Sequence, residues 1–181
     1  TDAAGNSGTS AIWSFTYDTT APTVTLLSPD NNAKVNTGAL SWNTATESVG
    51  LPASPYVVKV STNSNMASPI ITSSPQSGTT YTAASLVSGT TYYWQVTVTD
   101  AAGNSGTSAI WSFTYDTTAP TVTLSTSAPN PTNAAFTVTA TFSESVTGLA
   151  LGDISKTGGT ASSLSGSGTT YTFTVTPNAG T

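Results

Sequence analysis

The sequence predicts an all-β protein. Three observations predict it: short segments in which apolar and hydroxyl side chains alternate, clusters of Gly, Pro, Asn and Ser between those segments, and almost no helical periodicity. The alternation gives each strand one apolar face and one threonine-rich face, as in antiparallel sheets that pack on one side. Threonine favours strands through its branched Cβ and hydrates the exposed face without adding charge.

The predicted strands follow one another along the chain, and each is justified by its apolar face. In order, these faces consist of Leu40 and Trp42; Tyr56, Val58 and Val60; Tyr92, Trp94, Val96 and Val98; Trp111, Phe113 and Tyr115; Phe136, Val138, Ala140 and Phe142; and Tyr171, Phe173 and Val175. Because Trp42, Trp94 and Trp111 belong to these faces, they are predicted to fill cores. An exposed carbohydrate-binding platform that also uses Trp13 is the alternative.

Composition and charge exclude several classes of function. The 181 residues include three lysines, eight acidic residues, and neither histidine nor cysteine, for a net charge of −5. Three lysines cannot neutralise a track of phosphates, so nucleic acid is not an expected partner. The missing Cys and His exclude disulfides, thiolate or imidazole metal sites and histidine-dependent catalysis. No run approaches the roughly 18 apolar residues of a membrane span, so membrane insertion is not expected either.

Few side chains remain that could act in catalysis. Without histidine, a serine nucleophile would need Lys34, Lys59 or Lys156, or a carboxylate, as its base. A glycosidase needs two carboxylates across a cleft, whereas the acidic residues here are dispersed singly, mostly in predicted loops. The sequence therefore predicts a protein that is not an enzyme and requires no cofactor.

An internal repeat defines the predicted domain organisation. Residues 1–26 and 99–124 are identical, at an offset of 98 residues that suits a β-sandwich array. The second copy contains the end of one predicted domain and the start of the next. Because the first copy has the same sequence, we expect it to begin inside a domain as well. We expect residues 1–17 to be the final strand of a preceding repeat, followed by a linker at 18–22 and a complete domain at 21–116. A second linker at 116–120 then leads into an incomplete domain at 119–181.

Residues 21–116 resemble a fibronectin type III module. The resemblance rests on Trp42 in an early strand, the strand YVVKV, and the segment LVSGTTYYWQV, in which Leu86 and Tyr92 resemble a tyrosine corner. The following DAAGNSG turn and WSF strand are similar to the version found in large bacterial surface proteins. Residues 119–181 resemble a bacterial immunoglobulin-like repeat through APTVTLS, AFTVTATFSESVTGLALGDIS and SLSGSGTTYTFTVTP. The second module lacks the family's final strands after Pro177. The resemblances imply tandem antiparallel β-sandwiches, fibronectin III- or immunoglobulin-like, with truncated domains at both ends.

This topology suggests a calcium site at the domain junctions. In such a sandwich the linker would lie near two loops, which brings Asp18 close to Glu47, Asp100 and Asn104. By the same geometry Asp116 would lie near Glu144 in the following module. Calcium takes six to eight oxygen ligands, of which carboxylates at a junction supply several. The alternative is that Asp18 and Asp116 only initiate Asx turns before the proline-containing linkers.

The leading functional hypothesis is a structural repeat segment of a large extracellular bacterial surface protein, as an adhesin stalk or cell-surface fibre. Its partners would be neighbouring repeats or identical subunits, because the short DTTAP linkers favour extended, semi-rigid joints. One alternative is a filament subunit in which residues 9–17 complete the last module of a neighbour by donor-strand exchange. Another is an accessory module of a secreted carbohydrate-active enzyme, with Tyr93 as a candidate sugar-binding aromatic.

Overall fold

The protein forms two compact units, each rich in strands. A computed structural model describes residues 1–130 and 132–179; the first unit is Thr1–Thr117 and the second begins at Thr118. The predicted all-β class is confirmed, since the helical structure in the described ranges is a single 3₁₀ turn, Leu151–Asp153. The predicted end of the second domain at residue 181 lies outside the described residues. Within those residues, no helix has the length and apolar character needed to cross a membrane.

The first unit is a sandwich of two sheets. Its strands are β1 (Leu26–Ser28), β2 (Ala33–Val35), β3 (Ala39–Trp42), β4 (Tyr56–Ser61), β5 (Ile71–Thr72), β6 (Thr80–Thr82), β7 (Thr90–Thr99), β8 (Ser105–Thr107) and β9 (Trp111–Tyr115). One sheet has the order β1-β3-β6 and the other β2-β9-β7-β4-β5, with β8 also paired to β7. The pairings are antiparallel apart from β2 with β9, which is parallel.

The core of this sandwich is built from the alternating apolar faces of both sheets. Trp42 and Trp94 are buried, and Trp111 is partly buried against the same core. The Trp42 ring meets Tyr56 edge-on, with centroids 5.7 Å apart. The Tyr92 hydroxyl accepts a hydrogen bond of 2.9 Å from the Val87 amide, the bond that defines a tyrosine corner. The core thus fixes the loops that leave β3 and β7.

Strand β9 is held on both sides. Phe113 pairs with Tyr92 of β7 and with Ala33 of β2 and is fully buried. Ser112 is also buried. Its backbone amide donates to Asn31 Oδ1 at 2.9 Å, and its hydroxyl donates to Asn32 Oδ1 at 2.7 Å. The turn before β2 therefore covers a position that alternation alone assigns to the solvent face.

Hydroxyl pairs connect the strands on the solvent side of the larger sheet. Thr91 and Thr114 lie 3.1 Å apart through their hydroxyl oxygens, and Thr99 and Ser105 lie 2.8 Å apart. These bonds join β7 to β9 and β8 across the strands. The threonine-rich face thus adds uncharged cross-strand bonds to the backbone ladder.

The second unit, within residues 118–130 and 132–179, is a three-stranded antiparallel sheet. Its strands β10 (Val122–Ser125), β11 (Phe136–Val146) and β12 (Gly159–Pro177) lie in that order. A small core of Val138, Ala140, Tyr171 and Phe173 forms on one face. The Tyr171 hydroxyl donates to the Val146 carbonyl at 3.0 Å. Leu124 is 63% exposed and lines an apolar groove of about 250 Å³, so the sheet covers its apolar side only in part.

Candidate metal centre

Three segments of the first unit bring carboxylates together at one end of the sandwich. Asp18 lies in the linker before β1, Glu47 follows the bridge between Thr23 and Thr46, and Asp100 is the residue after β7. One carboxylate oxygen from each of the three lies within 4.8 Å of the others. The structure therefore places three of the residues predicted for the first calcium site beside one another.

Backbone packing fixes the linker at this site. Gly106 of β8 lies so close to Pro22 that a Cβ added to the glycine would overlap the Pro22 carbonyl oxygen. Pro22 is buried, and the next residue, Thr23, bridges to Thr46 just before Glu47. Gly106 was not among the predicted site residues, although a glycine within a strand is the usual signal of close backbone approach.

Asp100 is buried and is held by its own loop. Its carboxylate accepts hydrogen bonds from the Asn104 amide at 2.8 Å and from Asn104 Nδ2 at 2.9 Å, and the side chain is 3% exposed. Burial raises the pKa of Asp100, but the hydrogen bonds from Asn104, Gly103 and Ala102 together outweigh it and leave the pKa below the ordinary 3.8. The charged form is therefore favoured at this position.

Asn104 holds the cluster together through its amide nitrogen. Besides the bond to Asp100, Nδ2 lies 3.2 Å from the Asp18 carbonyl oxygen, to which it donates. Asn104 was predicted as a candidate ligand; the structure places it in the cluster as a hydrogen-bond donor that positions Asp18 and Asp100.

Asp18 and Glu47 each contribute one satisfied and one unsatisfied oxygen. Asp18 Oδ1 accepts the Thr20 amide at 2.9 Å, which is the Asx turn expected from the alternative interpretation. Glu47 Oε1 accepts the amides of Ser48 and Val49. Asp18 Oδ2 and Glu47 Oε2 are buried and have no hydrogen-bond partner among the residues that the structure describes. Buried polar atoms are nearly always paired, and a cation bound here would give both oxygens a partner.

The donor set fits a hard divalent cation. It consists of carboxylate oxygens alone, one from each of Asp18, Glu47 and Asp100. Calcium prefers such oxygen ligands and completes its six to eight with water, whereas zinc prefers nitrogen and sulfur. The residues that would hold the ion are Asp18, Glu47 and Asp100.

The second predicted pair belongs to two different units. Asp116 lies in the first unit, one residue before its end, where its backbone amide donates to the Val35 carbonyl at 2.8 Å and its Oδ1 accepts the Ser88 hydroxyl at 3.3 Å. Glu144 lies on β11 of the second unit and is partly buried. Their joint role as calcium ligands stays a prediction.

Comparison with known proteins identifies the two units. Residues 116–181 match the family described as Bacterial Ig-like domain. Chitinase A1 of Niallia circulans is 30% identical over 174 residues, an alignment that covers 87% of this chain and 24% of the chitinase. The chain thus spans about a quarter of that relative, and no solved structure matches it. Residues 23–117, just over half of the chain, match the Rha78A-like, N-terminal immunoglobulin domain, and the chain therefore belongs to that immunoglobulin-like family.

Proposed function

We propose that the chain is a structural, non-catalytic segment of an extracellular bacterial protein, in which a calcium ion ties the incoming linker to the first domain. The observation that carries the proposal is the pair of buried, unpartnered oxygens, Asp18 Oδ2 and Glu47 Oε2, beside the buried Asp100. A cation there would satisfy both oxygens and offset the repulsion among three carboxylates.

The chemistry of the site supports a mechanical role. Asp18 belongs to the linker, whereas Glu47 and Asp100 belong to the domain, so an ion bound by all three would hold the linker in one direction. The same DTTAP linker recurs before the second unit. Short proline-containing linkers of this kind suit a surface stalk or fibre built from successive domains.

The extracellular setting is supported by the family matches. Bacterial Ig-like domains and a chitinase are the proteins that this chain resembles. Oxygen-ligand calcium sites in extracellular modules typically have a Kd of about 0.1–1 mM. At 10 mM calcium, binding with such a Kd would stabilise the first unit by about 1.4–2.7 kcal/mol.

Denaturant unfolding followed by tryptophan fluorescence tests the calcium site, since Trp42, Trp94 and Trp111 lie in the first unit. We expect 10 mM calcium to raise the free energy of unfolding relative to EDTA at equal ionic strength. Asp18→Asn and Glu47→Gln should abolish that increase. In EDTA both variants should be at least as stable as the parent, because each removes one of three neighbouring charges.

Asp2→Asn is the matched control, because Asp2 has the sequence context of Asp100 but lies in the exposed segment 1–17. It should retain the full calcium response. Equal responses to calcium in Asp18→Asn and the parent protein, or no response in the parent, would contradict the proposed site.

A second candidate function is that of an accessory module in a secreted carbohydrate-active enzyme, and the chitinase similarity favours it. Tyr93 is partly buried on β7, between Ser61 and Ser112, and still presents part of its ring. Sedimentation with insoluble chitin tests this function. Binding that Tyr93→Ala weakens and Tyr81→Ala preserves would support it, and no measurable binding would argue for the purely structural role.

A further inference from the structure

The outer face of the larger sheet carries two of the three lysines of the chain. Lys59 on β4 pairs with Gln95 of β7, and Lys34 on β2 pairs with Thr114 of β9. Both lysines alternate with residues that pack in the core, such as Val58, so they lie on the solvent side of the sheet. The six strands of this sheet contain no acidic residue. The face is therefore locally positive on a chain whose net charge is −5.

Acidic residues border this sheet near Lys34. Asp30 lies four positions before Lys34, and the Asp116 amide donates to the carbonyl of the residue that follows Lys34. Along β7, in contrast, the first acidic residue is Asp100, five positions beyond the partner of Lys59, or about 17 Å along the strand. That separation is about twice the Debye length at physiological salt. Lys59 is therefore the stronger source of positive potential on this face.

An aromatic ring and an amide lie next to Lys59. Tyr93 and Gln95 both point outward from β7, because Trp94 between them is buried in the core. Gln95 is the direct cross-strand partner of Lys59, and Tyr93 is its diagonal neighbour at about 7–8 Å. All three side chains are partly exposed. Together they offer an apolar ring, an amide that donates and accepts hydrogen bonds, and a cation.

Two covered positions border Tyr93 across the sheet. Its partner on β4, Ser61, is fully buried, and its hydroxyl donates to the Ala67 carbonyl at 3.0 Å. Its partner on β9, Ser112, is covered by the turn that contains Asn32. The loop after β4 and the turn before β2 therefore lie on either side of the Tyr93 ring. A ligand that contacts this ring would run along β7 between them.

The chemistry of this face favours an acidic carbohydrate over an acidic peptide. Strand β7 is paired with β4 on one side and with β9 on the other, so its backbone cannot accept a peptide strand as an exposed sheet edge can. A sugar needs side chains alone, because its C–H face packs on an aromatic ring and its hydroxyl groups bond an amide. A uronic acid also carries a carboxylate, which Lys59 would pair with.

We propose that Tyr93, Gln95 and Lys59 form a binding site for an acidic polysaccharide of the uronic acid type. Tyr93 packs against a sugar ring, Gln95 bonds its hydroxyl groups, and Lys59 pairs with its carboxylate. Lys34 contributes less, because it lies two strands from β7 and close to acidic residues. This site rests on the accessory-module function and gives that function a carbohydrate class.

Affinity electrophoresis of the full chain through gels that contain polygalacturonate, in EDTA, tests the site. We expect the polymer to retard the parent chain, and less so as NaCl rises from about 20 to about 300 mM, because salt screens the ion pair. Lys59→Gln should lower the affinity about two- to fivefold, as expected for an exposed ion pair, and Tyr93→Ala at least as much. Lys34→Gln should have a smaller effect. Lys156→Gln, in the second unit, is the matched control and should have none.

Two further polymers separate the carboxylate from the sugar. Methyl-esterified polygalacturonate keeps the sugar without the charge, and polyglutamate keeps the charge without the sugar; we expect both to bind much more weakly. Tryptophan fluorescence during denaturant unfolding verifies that each variant is folded. An unretarded parent chain, equal binding of polyglutamate, or unchanged binding by folded Lys59→Gln would overturn the proposal.

Chitin distinguishes this proposal from the function on which it rests, because chitin carries no carboxylate. Chitin binding that requires Tyr93 but not Lys59, without retardation by polygalacturonate, would support the accessory module and refute the acidic ligand. Binding to neither polymer would refute both. EDTA is present throughout, so these outcomes are separable from the test of the metal site.

Discussion

Residues 1–26 and 99–124 share one sequence but have different structures. The loop that opens each copy is the same: Asn6 bonds both Asp2 oxygens at 2.9 Å, as Asn104 bonds both Asp100 oxygens. Gly5 and Gly103 both have positive φ, 89° and 96°. The turn is thus encoded by its own residues, because side chain, amide and glycine lie within five positions.

The strand that follows the turn is not encoded in the same way. Phe113 is fully buried between β7 and β2, whereas Phe15 at the equivalent position is 91% exposed. The last part of the copies differs again: Leu26 is 7% exposed in the sandwich, and Leu124 is 63% exposed on β10. A strand-forming sequence therefore becomes a strand only where neighbouring strands accept it, and its burial depends on which domain surrounds it.

The largest expected difference between the copies is at Leu26 and Leu124. Leu26→Ala should lower the free energy of unfolding of the first unit by about 2–5 kcal/mol, because it leaves a cavity in a packed core. Leu124→Ala should cost less than about 1 kcal/mol in the second unit, since most of that side chain is already in water. Circular dichroism follows both units and tryptophan fluorescence the first. Similar losses for the two variants would show that the second unit buries Leu124 against something further.

An intermediate effect is expected at Gly106 and Gly8. Gly106→Ala should destabilise the first unit by about 1–3 kcal/mol, because the new methyl group overlaps the Pro22 carbonyl and must displace the linker. Gly8→Ala has nothing within 4 Å of the added Cβ and should change the free energy of unfolding by less than about 0.5 kcal/mol. Gly106→Ala should also weaken the calcium response, since Asp18 moves with the linker. An unaltered stability and calcium response would mean that the linker is not fixed at Pro22.

The smallest expected effect is on the pH dependence of unfolding. The pKa of Asp100 in the folded protein lies below its ordinary 3.8, so ionised Asp100 contributes stability above pH 4 that is lost as the pH falls through the lowered pKa. In EDTA, Asp100→Asn should remove this component from the acid limb of the plot of unfolding free energy against pH. Asp2 also has a lowered pKa, chiefly through its bonds to Asn6, but its loop lies outside the sandwich. Asp2→Asn should therefore leave the acid limb unchanged, and an equal change in both variants would contradict this assignment.

Alternation alone was sufficient to predict the fold class and much of the core. Trp42 and Trp94 lie on faces that the sequence shows to be apolar, and both are buried. Alternation could not predict the burial of Ser112, because its cause is the turn at Asn31 and Asn32, about 80 residues away in the chain. The parallel pairing of β2 with β9 is equally non-local, since β2 is three residues long and has no distinctive pattern.

The candidate metal centre was predictable through topology rather than through spacing. Asp18, Glu47 and Asp100 are far apart in sequence, and only a sandwich with the linker at the loop end brings them together. The sequence could not predict how the side-chain atoms of this cluster are oriented toward one another. The Asn104 amide donates to Asp100, and one oxygen each of Asp18 and Glu47 has no partner within residues 1–130 and 132–179.

The hydroxyl pairs across β7 have a consequence for the conditions that this surface tolerates. Alcohol groups such as those of Thr91 and Thr114 neither ionise over the natural pH range nor attract a screening ion atmosphere, unlike the lysine–glutamate pairs that many proteins use in the same place. With charged groups at only 6% of positions, most of the surface has no charge to screen. Outside the carboxylate cluster, the sandwich should therefore keep the same hydrogen bonds at low and at high ionic strength.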